Sequence, residues 1–358
     1  MAASDRVVFS TAEESYTFAV RELRDAFGAG AAIGRLGPDL GVLDGPGVAE
    51  VAAACRDRPL VFPRHLTVEA ARIDATAAAD PRVVAEHARA AVPTGVREVA
   101  VQAWVSGSST LGYGAGAVAR AVTDELAAYG VTAARAGREW TVSCCLTADT
   151  VLVGLNRTAD SLSDWPGGRV RLGRAPSRVS RSEFKLEELF NEHPFPVPAR
   201  GRAVDFGASP GGWTRILRTR GFDVTAVDPG DLAPSLVADR HVTHARTTVG
   251  EFLRSNRASF DLAVNDMRME PTRSCRAMLD VAGHLSPGAY AVVTLKTGPR
   301  RPVEQVDACL SLLRAEYDVV FARQLYHNRS ELTVVVQRAQ ASTRARSSAR
   351  GGSGRTAR

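Results

Sequence analysis

Lysine is nearly absent from this chain. Its 45 basic residues are 43 arginines and two lysines, Lys185 and Lys296. Arginine serves almost wherever a cation is needed, including surface sites where either residue would do, so positive charge alone does not account for positions 185 and 296. Arginine keeps its proton in a protein, whereas a desolvated lysine can shed it, and a compact ammonium fits where a planar guanidinium does not. The plainer alternative is two surface lysines that survived a compositional bias; perturbed lysines gather at catalytic sites, which favours the chemical reading. Long apolar runs are also missing, and stretches such as Ala289–Leu295 are far too short to span a bilayer. The first residues carry Asp5, Arg6, Glu13 and Glu14 and no apolar segment, so no signal peptide is expected. Cys55, Cys144, Cys145, Cys275 and Cys309 form no C-x-x-C pair. Their odd number and the adjacency of two of them argue against a disulfide framework or a zinc site and fit a reducing, cytoplasmic setting.

The net charge of +6 is largely local. Residues 339–358 hold Arg344, Arg346, Arg350, Arg355 and Arg358 and no acid, which leaves +1 for the rest. This Ser-, Gly-, Ala- and Arg-rich tail cannot form a core and is expected to be disordered. It is either a weak, salt-sensitive RNA-binding arm or a solubilising appendage.

A length of 358 residues allows two or three domains. Residues 1–75 mix strand-like runs (Arg6–Ser10, Pro59–Phe62) with a helical pattern near Ala12–Phe27, which predicts a small α+β unit. An Ala-rich linker, Asp74–Asp80, ends at Pro81. Residues 82–172 predict a second α+β unit, with a strand at Glu98–Val105 and a helix at Ala115–Tyr129 placing Val118, Val122, Leu126 and Tyr129 on one face. Thr141–Leu146 and Thr150–Asn156 read as strands joined by a turn at Ala148-Asp149, and Trp165–Ser177 as a connector. From Ser180 strands and helices alternate. Ser180-x-x-Glu183 spells a capping box opening a helix with Lys185 on it. Strands Ala203–Phe206, Val224–Val227, Asp261–Val264 and Ala289–Leu295 follow, with helices Trp213–Arg220 and Val303–Glu316. Such alternation predicts an α/β fold with a mostly parallel sheet covered on both faces. Val319–Leu325 and Leu332–Gln337 are joined too tightly for a crossover helix and should be antiparallel.

Asp205-Phe206-Gly207-Ala208-Ser209-Pro210-Gly211-Gly212-Trp213 follows the first strand of that sheet and opens a helix, at the crevice where open α/β sheets bind ligands. Glycines there let the backbone approach a ligand closely. The spelling is not G-x-G-x-x-G, which disfavours a dinucleotide. Asp228 ends the next strand, where an acid can take both hydroxyls of an adenosine ribose. A structural turn with a helix cap is the alternative, since a glycine-rich turn alone is a weak signal.

These residues resemble the D-[LF]-G-A-x-P-G-G-[WF] loop of the FtsJ/RrmJ class of S-adenosylmethionine-dependent RNA ribose 2′-O-methyltransferases. The resemblance covers residues 180–338 and implies a Rossmann-like methyltransferase sheet, with the cofactor held by Asp205, Gly207, Ala208, Ser209, Pro210, Gly211, Gly212, Trp213, Asp228 and Asp266. It also implies a Lys-Asp-Lys-Glu tetrad at Lys185, Asp266, Lys296 and Glu331, so the chain's two lysines are the tetrad's two. Arg323-Gln324-Leu325-Tyr326-His327, with Arg329 and Glu331 after it, is similar to the end of the RlmM-like branch, which methylates a cytidine of 23S rRNA and carries a THUMP domain before the catalytic one. Residues 82–172, ending Val151-Leu152-Val153-Gly154-Leu155-Asn156, resemble that THUMP unit. One departure stands out. Where the family often has an acid for the adenine amino group, this chain reads Ala245-Arg246-Thr247-Thr248, so a hydroxyl or backbone group must serve.

The resemblance implies that Lys296 takes the proton of the ribose hydroxyl, Asp266 orients Lys296, Lys185 steadies ribose or phosphate, and Glu331 holds Lys296. RNA phosphates would meet Arg181, Arg268, Arg300 and Arg301. No metal is expected, because the acids lack His or Cys neighbours at ligand spacing. His193 reads as a turn residue; Tyr326 either stacks on a base or packs in the core. The expected partner is RNA, 23S rRNA free or in an assembly particle. The rival readings are a non-catalytic RNA-binding or ribosome-assembly factor and a methyltransferase for another substrate.

Overall fold

The computed structural model describes residues 6–28, 30–173, 178–193, 195–298 and 300–339. The chain divides into two compact units, Met1–Arg171 and Leu172–Arg358. The basic tail beyond residue 339 and part of the 165–177 connector lie outside the described residues.

The first unit holds strands β1 (Arg6–Ser10), β2 (Ala32–Arg35), β3 (Leu40–Asp44), β4 (His65–Asp74), β5 (Glu98–Val105), β6 (Thr132–Ala134), β7 (Trp140–Leu146) and β8 (Thr150–Arg157), with helices α1 (Tyr16–Phe27), α2 (Val48–Asp57), α3 (Pro81–Ala91) and α4 (Ala115–Ala128). The strands form one sheet in the order β2-β3-β1-β4-β8-β7-β5-β6. No break in that sheet separates 1–75 from 82–172. The ten-residue β4 pairs its first half with β1 (His65 opposite Ser10) and its second half with β8 (Asp74 opposite Thr150), so it belongs to both halves. After β4 the chain makes a 3-10 turn at Ala77–Ala79, and the Asp80 carboxylate accepts the Arg82 N–H to start α3 with Pro81 in its first turn. Apolar faces of α3 (Val84, Ala85, Ala88) and α4 (Val118, Val122, Leu126) bury Val99, Val101, Val142, Cys144, Leu146, Val151 and Val153. Tyr129 departs from the expected stripe. It follows the last turn of α4, is 59% exposed, and stacks beneath the Arg89 guanidinium at 4.3 Å.

Pro59–Phe62 forms no strand, and the reason is a side chain. The backbone N–H groups of Val61 and Phe62 donate to the Glu22 carboxylate of α1 at 3.1 and 3.2 Å, so these donors face a carboxylate rather than a neighbouring strand. A buried run that reads as β by composition is thus held as an irregular segment.

The second unit contains α5 (Glu183–Glu192), β9 (Gly201–Phe206), α6 (Gly212–Thr219), β10 (Phe222–Val227), α7 (Pro234–Val237), β11 (Val242–Ala245), α8 (Val249–Ser255), β12 (Phe260–Asn265), α9 (Pro271–Val281), β13 (Leu285–Leu295), α10 (Pro302–Leu313), β14 (Tyr317–Arg323) and β15 (Leu332–Arg338). Its sheet runs β11-β10-β9-β12-β13-β15-β14. The first five strands are parallel. β15 enters between β13 and β14, antiparallel to both, as the short β14–β15 connection requires. α5 begins at Glu183 rather than at Ser180. Glu183 is fully buried, accepts the Val179 and Ser180 N–H groups, and is paired with Arg215 and Arg178, so the expected capping exchange ties down the approach to the helix instead of forming its first turn.

Replacing Glu22 by Ala should leave the Val61 and Phe62 donors without this acceptor, a loss of about 3 kcal/mol of local stability. Hydrogen exchange should then speed up at these two amides by roughly 100-fold, the equivalent of that energy. Unchanged exchange would mean that the segment is held by other contacts.

Candidate active site

Strand register assembles the site. Phe206 pairs with both Val227 and Asn265, and Asn265 pairs with Val293. The residues just beyond those aligned positions, Gly207, Asp228, Asp266 and Thr294, therefore share one edge of the sheet. Leu295 pairs with Leu332 of the antiparallel β15, which brings Lys296, one residue after Leu295, beside Glu331, one residue before Leu332. Lys185 arrives from above: Leu186 and Leu189 anchor α5 in the core on this sheet, and Lys185 reaches over the edge.

All four expected tetrad residues meet. Lys185 Nζ donates to Asp266 Oδ1 and Oδ2 at 3.0 and 3.1 Å and to Glu331 Oε2 at 2.5 Å. Lys296 Nζ donates to Asp266 Oδ1 at 2.5 Å and lies 3.4 Å from Glu331 Oε2. One further residue belongs to the cluster. The buried Thr294 hydroxyl accepts from Lys296 Nζ and donates to Asp266 Oδ1, both at 2.6 Å. Its only signal in the sequence is its place two residues before Lys296, on the same face of the strand. Burial works against charge on Lys185 and Asp266 alike, and in both the partners prevail. The carboxylates of Asp266 and Glu331 hold Lys185 above the ordinary lysine range. The lysines hold the Asp266 carboxyl below the ordinary carboxylate range.

Beside this cluster lies a cleft of about 1010 Å³, lined by the glycine loop, Asp228, the 247–250 segment and Asp266. The loop demands its glycines. Gly211 has φ +111°, and a Cβ there would strike Leu236; one at Gly212 would strike the Ser180 hydroxyl. Gly207, Ala208, Ser209 and Pro210 line the cleft, whereas Gly211 and Gly212 shape the loop behind it. Trp213 does two jobs: its ring packs in the core, its Nε1 donates to Ser182 O at 2.9 Å, and it also borders the cleft. The Asp228 carboxylate accepts the Ser209 N–H at 3.2 Å and the Gly230 N–H at 2.7 Å, which uses two of its roughly four acceptor positions. In the 247–250 segment the Thr247 and Thr248 hydroxyls both donate to Glu251 Oε2, at 2.8 and 2.9 Å.

Other expected residues fall at different distances from this centre. His193 caps the end of α5 and packs on Phe321, 4.7 Å between ring centroids, in keeping with a turn role. Tyr326 is 38% exposed and meets His327 edge-on. Arg181 and Arg268 line the cleft, as does Arg273, which carries no sequence signal of its own. Arg301 pairs instead with Glu304. Among the described residues no group of three or more His, Cys, Asp and Glu is placed to hold a metal ion, and no helix is long and apolar enough to cross a membrane.

Asp205 is the most perturbed acid in the cleft. Burial pushes its carboxyl up to about 7; the Thr214 hydroxyl, donating at 2.7 Å, opposes this, and the charges of Asp266 and Asp228 add to it. Folding raises this pKa, so the group's contribution to stability is complete below its ordinary value of 3.8 and is lost as the pH rises through about 7. Asp205→Asn should therefore gain thermal stability relative to wild type between about pH 4 and about pH 8. A constant difference in melting temperature across that window would mean that Asp205 ionises as an ordinary carboxylate.

Residues 178–325 match the FtsJ-like methyltransferase family. The Ribosomal RNA large subunit methyltransferase M of Halorhodospira halophila is 41% identical over 180 residues, 49% of this chain and 51% of that protein. The protein of that name from Methylococcus capsulatus is 38% identical over 200 residues, 52% of this chain and 55% of that one. The chain spans about half the length of these relatives in the matched stretch. TrmN from Thermus thermophilus covers 93% of this chain and 99% of its own at 17% identity, with a TM-score of 0.39, at which the likeness decides nothing. The matched stretch takes in the glycine loop, Asp228 and three of the tetrad residues, Lys185, Asp266 and Lys296, and makes residues 178–325 similar to FtsJ-like methyltransferases.

Proposed function

We propose that this protein methylates a ribose 2′-hydroxyl of RNA, a cytidine of 23S rRNA by its similarity to the M-type enzymes, with S-adenosylmethionine as donor. The single observation that carries this is the closed cluster of Lys185, Asp266, Lys296 and Glu331, whose Asp266 lines the cleft. The residues present fit the cofactor. Gly207, Ala208, Ser209 and Pro210 of the glycine loop line the cleft, and Asp228 keeps acceptor capacity for a ribose diol. The bound cofactor would supply a sulfonium methyl. What the chain must add is alignment of the hydroxyl and a place for its proton. Lys296 is the proton acceptor in this reading, Asp266 and Thr294 aim its amine, and Lys185 and Glu331 complete a charge-balanced frame around the ribose.

Lys296→Arg tests the chemistry. The amine sits between two oxygens, 2.5 Å from Asp266 and 2.6 Å from Thr294, a space in which a planar fork does not fit, and arginine cannot shed its proton. Its single-turnover rate on unmodified rRNA should fall by ~10²-fold or more, close to that of Lys296→Ala, while cofactor affinity stays within about threefold. Substantial turnover by the arginine variant would reduce the role of Lys296 to positive charge.

We further infer that residues 1–172, with a THUMP-like part at 82–172, supply most of the RNA affinity, and that the cleft rim steers the phosphate backbone. Arg181, Arg268 and Arg273 are exposed on the cleft and have no carboxylate partner among the described residues. Removing one arginine–phosphate pair should lower the salt slope of RNA binding by about 0.7 for single-stranded RNA. Replacing all three by Ala should thus flatten the dependence of log K on log salt by about 2 units. An unchanged slope would remove these arginines from the RNA path.

A further inference from the structure

A buried carboxylate that is not part of the tetrad lies on α5, one turn after Lys185. Glu188 is 2% exposed. It accepts the backbone N–H of Tyr326 at 2.8 Å and of His327 at 3.0 Å, and lies 2.6 Å from His327 Nδ1. The His327 ring in turn stacks on Phe184, 5.1 Å between centroids and 12° from parallel. Phe184 precedes Lys185 directly. The turn that Glu188 holds continues to Glu331. Asn328, 1% exposed, accepts the Leu325 N–H at 2.8 Å and the Thr333 hydroxyl at 3.0 Å through its side chain. Its carbonyl accepts the Glu331 N–H at 3.1 Å. Arg329 within this turn takes φ +55°, a conformation costly for a side-chain-bearing residue.

A buried charge is expensive unless paired and hydrogen-bonded, and an apolar residue would fill this position on the helix at lower cost. The three groups that Glu188 engages lie instead in the turn that delivers Glu331. We propose that Glu188, with His327, is a positioning device: it fastens the 326–331 turn to the helix that bears Lys185, and so sets the Lys185–Glu331 contact. This role rests on the proposed function for its catalytic meaning, but not for its geometry.

The near absence of lysine provides the test. With 13Cε-lysine labelling the full-length protein has two side-chain signals, assignable through Lys185→Arg and Lys296→Arg. Glu188→Gln should move the Lys185 signal in the same direction as Glu331→Gln does. It should also lower the single-turnover methylation rate by on the order of 10-fold, through misplacement, with cofactor affinity unchanged. In the Glu331→Gln background the same substitution should cost less than about twofold, because Glu188 acts through Glu331. A Lys185 signal that stays in place, or equal losses in both backgrounds, would overturn the proposal. Should Glu188→Gln not fold, His327→Phe keeps the stack on Phe184 and the buried carboxylate but removes the ring nitrogen, and it is read in the same way. If the signals move as expected while the wild-type protein transfers no methyl to RNA, the positioning stands and the methyltransferase reading falls.

Discussion

The site depends on one largely buried carboxylate. Asp266 Oδ1 receives Lys185, Lys296 and the Thr294 hydroxyl at once, at 3.0, 2.5 and 2.6 Å. Taken alone, burial would drive this acid toward its neutral form. Two lysines reverse that and keep it ionised, and its charge in turn keeps Lys185 protonated. Each group is tolerated in the interior because the others are there. Asp266 is therefore the fixed point from which both lysines are measured, and Glu331 closes the arrangement on the far side.

Why the four residues meet is a matter of strand register. Asp266 and Lys296 follow β12 and β13, adjacent parallel strands whose register brings their ends together, and Lys185 comes from helix α5. The fourth comes from an antiparallel strand inserted beside β13, and it must, since an antiparallel neighbour begins where β13 ends. Leu295 opposite Leu332 is the pairing that puts Lys296 and Glu331 together. A shift of one residue in that pairing would turn every side chain of β15 to the other face and separate them.

The first unit follows the same economy on a different plan. Its two α+β halves share the long strand β4, so neither half has a complete sheet of its own. Two helices cover one face of the second half with small and branched apolar residues, and Glu22 holds an irregular segment in the first half by accepting its backbone donors.

Much of the second unit was legible in the sequence, because its signals are local. Strand–helix alternation, the glycine loop, an acid one strand later and two lysines in an arginine-rich chain each lie within a few residues. The resemblance carried by those motifs extended them to Asp266 and Glu331. What remained hidden depends on contacts between distant residues. Pro59–Phe62 has strand composition, yet a glutamate on α1 takes its donors. Glu183 sits at the right spacing for a capping box and accepts the Ser180 N–H, but the same carboxylate also takes Val179, Arg178 and Arg215, and the helix starts three residues later. Thr294 and Glu188 look like an ordinary strand threonine and helix glutamate, and only packing sets the first against Asp266 and the second under the 326–331 turn. The order of residues was enough to say which chemical groups the site owns and which strands carry them, since side-chain type and period are local properties. Register, shared strands and the partners of buried charges came only with the folded chain, because they arise when segments far apart in sequence compete for the same hydrogen bonds.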